Sequence, residues 1–409
     1  MYFHKVGAMS GVGLTTEETK MNKRVSNKVL ATLMIALMPT LAVAANTDGV
    51  KQPLWFKEPS AKTMDLAKID DLSNTVVSSG QRGEEGFPAS KLVISEEQAA
   101  KIKAGGFTVA ISMGWMGDDW ASQQLIGLKA QFEKLGIKVV AETNANWNDA
   151  KQIADLEAIS VLKPNLLVSI PLNGQTTASA YKKMSAAGVK VVFIDQAVDG
   201  MDPGKDYASI ISSDNLALGM YLADELASAI GGKGDVAAMY YANDFYVTNL
   251  RYEGFVARLK AKYPDVHLVV AAGHNDPNKG QEVAQGVFAR YPNFKGIYAS
   301  WSIPAMGAVT AAKLSGKSPG EFKIVNENFD QIVALNMAEN NFIAGISSQR
   351  PYDQGVAEAK IGALALIGEQ TPPYVVVPPL AVTRKNLPES YKTIYRVDLP
   401  AEMKKALSQ

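Results

Sequence analysis

Cysteine is absent from the 409 residues. That removes thiolate catalysis, CxxC redox chemistry, cysteine-ligated zinc, disulfides and a lipid-modified cysteine anchor. Histidine is scarce: His4, His267 and His274 are not spaced as HExxH, so no metal site and no cofactor is expected. An excess of either charge is also missing, because 41 Lys+Arg balance 41 Asp+Glu. No basic field for nucleic acid and no polybasic membrane-binding run follows from that balance. GxSxG and P-loop motifs do not occur, and no catalytic residue is assigned.

What is present is ordinary globular composition, 47% hydrophobic and 20% charged, long enough for two domains. The single long apolar run, VLATLMIALMPTLAVA, follows the basic stretch MNKRVSNK from Met21 and contains Pro39. Ala42-Val43-Ala44 supplies a small-x-small cleavage site, so residues 21–44 read as a secretory signal peptide cut after Ala44 or Ala45. The run is short for a membrane span. Residues 1–20 do not fit a signal and read as a leader ahead of a true start at Met21. A soluble, exported mature chain is expected.

Residues 45–104 are polar and weakly periodic, with Pro53, Pro59, Pro88 and SSGQRGEEG. They read as an extension wrapping over the main body, ending in a strand start and short helix within KLVISEEQAAKIKAGG. From Phe107 the pattern is regular. FTVAIS, IKVVAET, NLLVSIP and VKVVFID are β-branched runs separated by the helical patterns ASQQLIGLKAQFEKLG, WNDAKQIADLEAISVLKP and TTASAYKKMSAAG. DYASIISSDN ends this series. A second series follows with GDVAAMYY, VHLVVAAG, FKGIYAS, FKIVNEN and FIAGISSQ, a helix over Tyr352–Ile367, and a Pro-rich return QTPPYVVVPPLAVTRKNL. Alternation of this kind predicts βαβ units and parallel sheets, hence an α/β fold in two doubly wound halves.

Ligands of open parallel sheets sit beyond the carboxyl ends of the strands. Those ends are rich in Asp, Asn, Gln, Ser, Arg and Trp, a set that suits a neutral polyhydroxylated ligand. Each hydroxyl donates and accepts, and the apolar face of a sugar ring packs on an aromatic side chain. Trp115, Trp120 and Trp301 are candidates for stacking. In GWMGDDWAS, Asp118 and Asp119 divide between capping the following helix and binding hydroxyls, and their charges disfavour an anionic ligand there. Arg251, in NLRYEGF, sits one turn into a helix after a strand end. It either pairs with Glu253 at the surface or reaches the cleft to bond ligand oxygens.

FTVAIS with its loop and helix, KPNLLVSIP, VKVVFID, ASIISSDNLALG, NLRYEGF and GISSQRPYDQG occur in an order and spacing that resembles the ribose-type (type I) periplasmic sugar-binding proteins of ABC transporters. The resemblance covers Phe107 to Arg396. It implies two lobes joined by three crossing segments, near 212–215, 347–349 and 378–380. The first lobe is then 105–212 plus 350–378, and the second 213–348 plus 380–409. It also implies roles. Asp195 takes the acid central to sugar hydroxyls, with Gln196 where an Arg is usual. Arg251 takes the cleft Arg, Gln349 the hinge-strand Gln, and Trp120 the first-loop aromatic, with Ser112 at the strand end. Trp301-Ser302 replaces the usual Asn-Asp. Within Asn326–Asp330, Asn328 or Asp330 takes the place of a carboxylate. The implied protein is a monomer in the periplasm. It captures a small neutral sugar or polyol by lobe closure and delivers it to a membrane permease. The alternatives are a sugar sensor serving a chemoreceptor or sensor kinase, and a carboxylate-pair glycosidase using Asp118, Asp119 or Asp195.

Overall fold

The computed structural model describes residues 49–409. The leader and signal peptide expected over 1–44 lie outside the described residues. In chain order the strands are β1 Phe87–Pro88, β2 Thr108–Met113, β3 Lys138–Asn144, β4 Leu166–Ser169, β5 Lys190–Ile194, β6 Ser209–Ser213, β7 Gly234–Tyr241, β8 Val266–His274, β9 Gly296–Ala299, β10 Lys323–Glu327, β11 Ile343–Ser348, β12 Tyr374–Val377 and β13 Leu380–Val382. The helices are α1 Ala61–Leu66, α2 Glu96–Ala104, α3 Asp119–Leu135, α4 Asp149–Val161, α5 Ala178–Ala186, α6 Asn215–Ala229, α7 Tyr246–Lys262, α8 Gly280–Arg290, α9 Ser302–Leu314, α10 Gln331–Ala338, α11 Pro351–Leu366, α12 Leu387–Tyr395 and α13 Ala401–Leu407.

The strands form two sheets, ordered β1-β12-β6-β5-β4-β2-β3 and β13-β11-β10-β9-β7-β8. Every pairing is parallel except β11 with the edge strand β13, which is antiparallel. Helices cover both faces, so the central strands are buried and mainly apolar; β4 and β9 are buried at every position. The fold is the two-lobed α/β architecture expected. The chain changes sheets three times: between β6 and the helix α6 of the second lobe, between β11 and α11 of the first, and between β12 and β13. Pro378 and Pro379 separate the last two strands and donate no hydrogen bond to either sheet. Helices α12 and α13 return to the second lobe, where Leu387, Tyr391, Ile394 and Met403 join its core.

The two lobes share one packing device. Helices α3 and α11 cross at Gly127 and Gly355, and α6 and α7 cross at Gly219 and Gly254. A methyl group on Gly254 would lie 2.2 Å from the Leu216 carbonyl oxygen, and one on Gly219 1.8 Å from that of Arg251. Backbones therefore approach to a distance only glycine permits. These crossings fix the starts of α3 and α7, which carry Asp118, Trp120 and Arg251.

Residues 49–104 run from the second lobe, past the hinge, to the first. Tyr252 Oη donates to Gln52 Oε1 (2.6 Å), and Arg258 Nη1 donates to the carbonyls of Ala67 (2.8 Å) and Ile69 (2.6 Å). The backbone N–H groups of Val77 and Ser78 then bond the buried Asp214 carboxylate at 2.7 and 3.1 Å, at the β6–α6 crossing. On the first lobe, Gln81 Oε1 accepts from Ala197 N (2.8 Å), Arg82 pairs with Asp202, and β1 adds to the β12 edge. The extension is thus a fourth crossing beside the three of the main fold. The strand start expected at Lys91 is instead a 3-10 turn over Ala89–Lys91, and pairing occurs earlier at Phe87–Pro88. An edge position tolerates Pro88, which has no N–H to offer a further neighbour. The helix begins at Glu96 under a Ser95–Gln98 capping box.

Candidate functional site

The carboxyl ends of both sheets face one cavity of about 480 Å³. From the first lobe, the β2–α3 loop brings Trp115, Asp118 and Trp120, the β3–α4 turn brings Trp147, and the end of β5 brings Asp195. From the second, the end of β7 and the start of α7 bring Tyr241, Phe245, Val247, Thr248 and Arg251. Trp301 follows β9, Asn328 follows β10 and Gln349 follows β11.

Asp118 is the N-cap of α3: its Oδ1 accepts from Ala121 N at 2.9 Å and its Oδ2 from the Trp115 indole N–H at 3.0 Å. Burial holds this carboxyl above its ordinary range. Trp115 lies on Trp147 with ring centroids 4.3 Å apart and planes 9° from parallel, and beside Trp120 at 5.3 Å. Trp120 is buried, and its indole N–H has no partner among the described residues. Asp119 does not line the cavity. Its Oδ2 accepts from Gln331 N at 2.8 Å and from the Tyr395 hydroxyl at 2.7 Å, both on the second lobe. The two adjacent aspartates therefore split into a cap and a lobe-to-lobe bond.

Asp195 stands at φ +64°, a conformation Asp tolerates better than most residues. Its Oδ1 accepts from Ser212 Oγ (2.9 Å) and Gln354 Nε2 (3.1 Å), while its Oδ2 has no bond among the described residues. Burial raises its pKa, and the Arg251 charge works against that rise. Arg251 is 4% exposed. Its Nε donates to Asn215 Oδ1 at 2.8 Å and its Nη1 to Glu327 Oε2 at 2.6 Å, while Nη2 has no bond among the described residues. Glu327 is itself bonded by Tyr298. The surface pairing with Glu253 weighed from sequence does not occur; Glu253 accepts from Thr63 instead.

On the facing wall, Trp301 meets Tyr241 and His274 edge-on at 5.3 and 5.2 Å. Burial lowers the His274 pKa to about 4, so the ring is neutral and bonds Ser300 Oγ at 2.6 Å. Gln349 Nε2 donates to Asn328 Oδ1 at 2.8 Å, and Gln349 Oε1 lacks a partner among the described residues.

Eight expected residues thus line the cavity: Trp115, Asp118, Trp120, Asp195, Arg251, Trp301, Asn328 and Gln349. Ser112 is fully buried outside the lining. Asp119 and Asp330 line a smaller adjoining space of about 210 Å³. There burial, with Asp118 and Asp119 nearby, pushes the Asp330 carboxyl up to about 7. Gln196 lies further out, with Nε2 on Pro171 O (3.1 Å) and Oε1 facing Tyr246 N (3.4 Å) across the lobe seam. Trp147, Tyr241, Phe245, Val247 and Thr248 were not expected. Trp147 was placed in a helix, but α4 begins two residues later because Asn148 caps it through Lys151 N at 2.9 Å. The NANW turn after β3 was the signal for it.

Residues 109–370 match the periplasmic binding protein domain. The chain belongs to this family. Among similar proteins, a ribose import binding protein of Escherichia coli is 26% identical over 212 residues, 52% of this chain and 69% of that one. The D-allose-binding periplasmic protein of Escherichia coli is 22% identical over 241 residues, 58% and 76% of the two chains. Two solved structures share the fold of this periplasmic binding protein. One is an ABC transporter solute-binding protein from Agrobacterium vitis, bound with alpha-D-tagatopyranose, with a TM-score of 0.65 and 23% identity over 72% of this chain and 100% of that one. The other is a carbohydrate transporter solute-binding protein from Agrobacterium radiobacter in complex with D-arabinose, with a TM-score of 0.63 and 24% identity over 70% and 98%. The described part of this member contains no helix long and apolar enough to cross a membrane.

Proposed function

We propose that this chain is the periplasmic solute-binding component of an ABC transporter. It captures a neutral monosaccharide or polyol unit between its lobes and delivers it to a membrane permease. The observation that carries the reading is Asp195 beside Arg251. One carboxylate oxygen is pinned by Ser212 and Gln354, and the other is free on the cavity wall. A fixed acceptor beside a fixed cation offers a sugar hydroxyl both a place to donate and a place to accept. Trp120 Nε1 and Gln349 Oε1 add a donor and an acceptor without partners. A buried polar atom left unpaired costs about 1–3 kcal/mol, so a ligand that pairs it is favoured. The rings of Trp120, Trp301, Tyr241 and Phe245 supply the apolar surface.

Charge selects against acids. Arg251 is already balanced by Glu327, which leaves Asp118 and Asp195 as net negative lining. The same count argues against glycoside hydrolysis, which uses a carboxyl pair: both oxygens of Asp118 are engaged, and Asp195 alone has one free. Closing the lobes strengthens these bonds by excluding water. The test is a thermal-shift screen of sugars, polyols, amino acids and cations. A ligand at 100 times its Kd stabilises by about 2.7 kcal/mol. A shift with amino acids or cations and with no sugar or polyol refutes the reading.

A further inference from the structure

The inner cavity opens outward. Trp147, Tyr241 and Phe245 line it and also line an outer compartment between the lobes. We infer that this outer compartment is a second saccharide subsite, so that the ligand is two linked neutral sugar units, a disaccharide or glycoside, with one unit in each space. The inference rests on the sugar reading of the inner cavity and extends it.

Trp147 is the first ground. It is 45% exposed and belongs to none of the hydrophobic cores. Trp115 covers one face of its ring at 4.3 Å, and the exposed part of the ring lies away from that contact. Its backbone is left-handed at φ +61°, directly after Asn146 at φ +52°. Two successive left-handed residues other than glycine are unfavourable. The turn is held by bonds from Ala145 N to Met113 O (2.9 Å) and from Trp147 N to Gly114 O (3.0 Å). Strain maintained to present an aromatic face at the rim of a cleft is a property of binding sites, and an exposed indole ring is the partner a pyranose or furanose ring requires.

Polar chemistry is the second ground. Asn173, Gln175 and Gln196 from the first lobe, Asn243 from the second and Gln81 from the extension surround the outer space. Amide side chains both donate and accept, as hydroxyl groups do. Lys and Arg are absent from this lining while Asp149, Asp199 and Asp244 belong to it, so a phosphorylated or carboxylated outer unit is disfavoured. Size is the third ground. The inner space is the smaller of the two. The outer one is larger and is walled by both lobes, so an occupant would be clamped by the same closure.

Isothermal titration of the mature chain tests this. The probes are galactose, glucose, xylose and arabinose against lactose, melibiose, maltose, xylobiose and arabinobiose. Asp244→Trp and Gln175→Trp, at exposed positions of the two lobes, fill the outer compartment, and neither side chain bonds a residue of the inner lining. At least one disaccharide is expected to bind ten-fold or more tightly than its component monosaccharides. Both filling variants are expected to weaken that disaccharide at least ten-fold while leaving monosaccharide affinity within two-fold. Monosaccharides that match or exceed every disaccharide overturn the second subsite and leave the inner one standing, as does disaccharide affinity indifferent to both fillers. If no sugar of either size binds, the sugar reading fails and the subsite fails with it.

Discussion

Replacing Asp195 by Asn is expected to move binding and stability in opposite directions. The side chain keeps its shape, and Asn accepts the φ of +64°. Ser212 Oγ and Gln354 Nε2 both donate to Oδ1, so the Asn carbonyl must take that place and its NH₂ must face the cavity. A ligand hydroxyl then meets a neutral donor where it had an ionised acceptor. Hydrogen bonds to charged groups are worth about 1.5–3 kcal/mol and neutral ones about 0.5–1.5. The difference of about 1–2 kcal/mol weakens affinity roughly 5- to 30-fold. Stability without ligand responds differently. Burial outweighs the attraction of Arg251 and the bonds from Ser212 and Gln354, so the carboxyl pKa is raised. Ionising it therefore costs folding free energy above its unfolded pKa, and the amide removes that cost. The ligand-free Asn variant should melt at or above the wild-type temperature at pH 7, while titration with the sugar returned by the thermal-shift screen gives the weaker Kd. Affinity within two-fold of wild type refutes the role of Asp195 in holding ligand. A melting temperature several degrees lower refutes the claim that its charge is retained at a cost to stability.

Asp119→Ala removes the bonds to Gln331 N and Tyr395 Oη across the seam but no cavity group. Ligand should dissociate roughly ten-fold faster in stopped flow, with the ligand-free melting temperature little changed; an unaltered rate refutes the latch. The raised Asp330 pKa, about 7, sets a pH effect. Below about pH 4 the carboxyl is protonated in folded and unfolded chains alike. Between about 4 and 7 only the unfolded chain gives up the proton, so this group's contribution falls as pH rises and is fully lost above 7. Asp330→Asn should therefore gain melting temperature relative to wild type between pH 5 and pH 8, and parallel curves refute the assignment. Gly254→Ala puts a methyl group 2.2 Å from the Leu216 carbonyl oxygen. Forced overpacking of this kind costs about 1–3 kcal/mol. Both melting temperature and sugar affinity should fall, because α7 carries Arg251; an unchanged affinity shows that the crossing does not set the guanidinium.

Periodicity made most of the fold legible. VKVVFID and NLLVSIP read as strands because parallel strands covered on both faces are continuously apolar, and they form β5 and β4. Strand ends also led to Asp195, Trp301 and Gln349. What periodicity could not supply was the layer under the ligand. Glu327 and Asn215 hold Arg251 through long-range bonds, Tyr298 bonds Glu327 in turn, and nothing local in NLRYEGF announces them. Trp147 was hidden by a different cause. WNDAKQIADLEA has helical spacing from its first residue, and only the Asn148 cap separates the indole from the helix. That 49–104 wraps over the body was legible from its polarity, but its partners were not, because its bonds to Asp214 and Arg258 join residues more than a hundred positions apart.

Those bonds bear on the lobe closure proposed above. Asp214 lies where β6 of one sheet gives way to α6 of the other, and it is buried with a raised pKa caused first by that burial. Its carboxylate accepts from Val77 N, Ser78 N, Ser78 Oγ and Ala217 N. One acid therefore ties the extension, the hinge and the first turn of α6 together. Because the tie sits at a crossing, the lobe rotation proposed above would leave it intact. The bonds that separation must break lie to either side: Asp119 with Gln331 and Tyr395, and Gln196 with Tyr246. Such pairs are individually worth about 1 kcal/mol, comparable to a single ligand hydroxyl. On the proposed function, a ligand need supply only a few bonds to shift the balance between separated and closed lobes, and Asp195, Arg251, Asn328 and Gln349 line the cavity where it would make them.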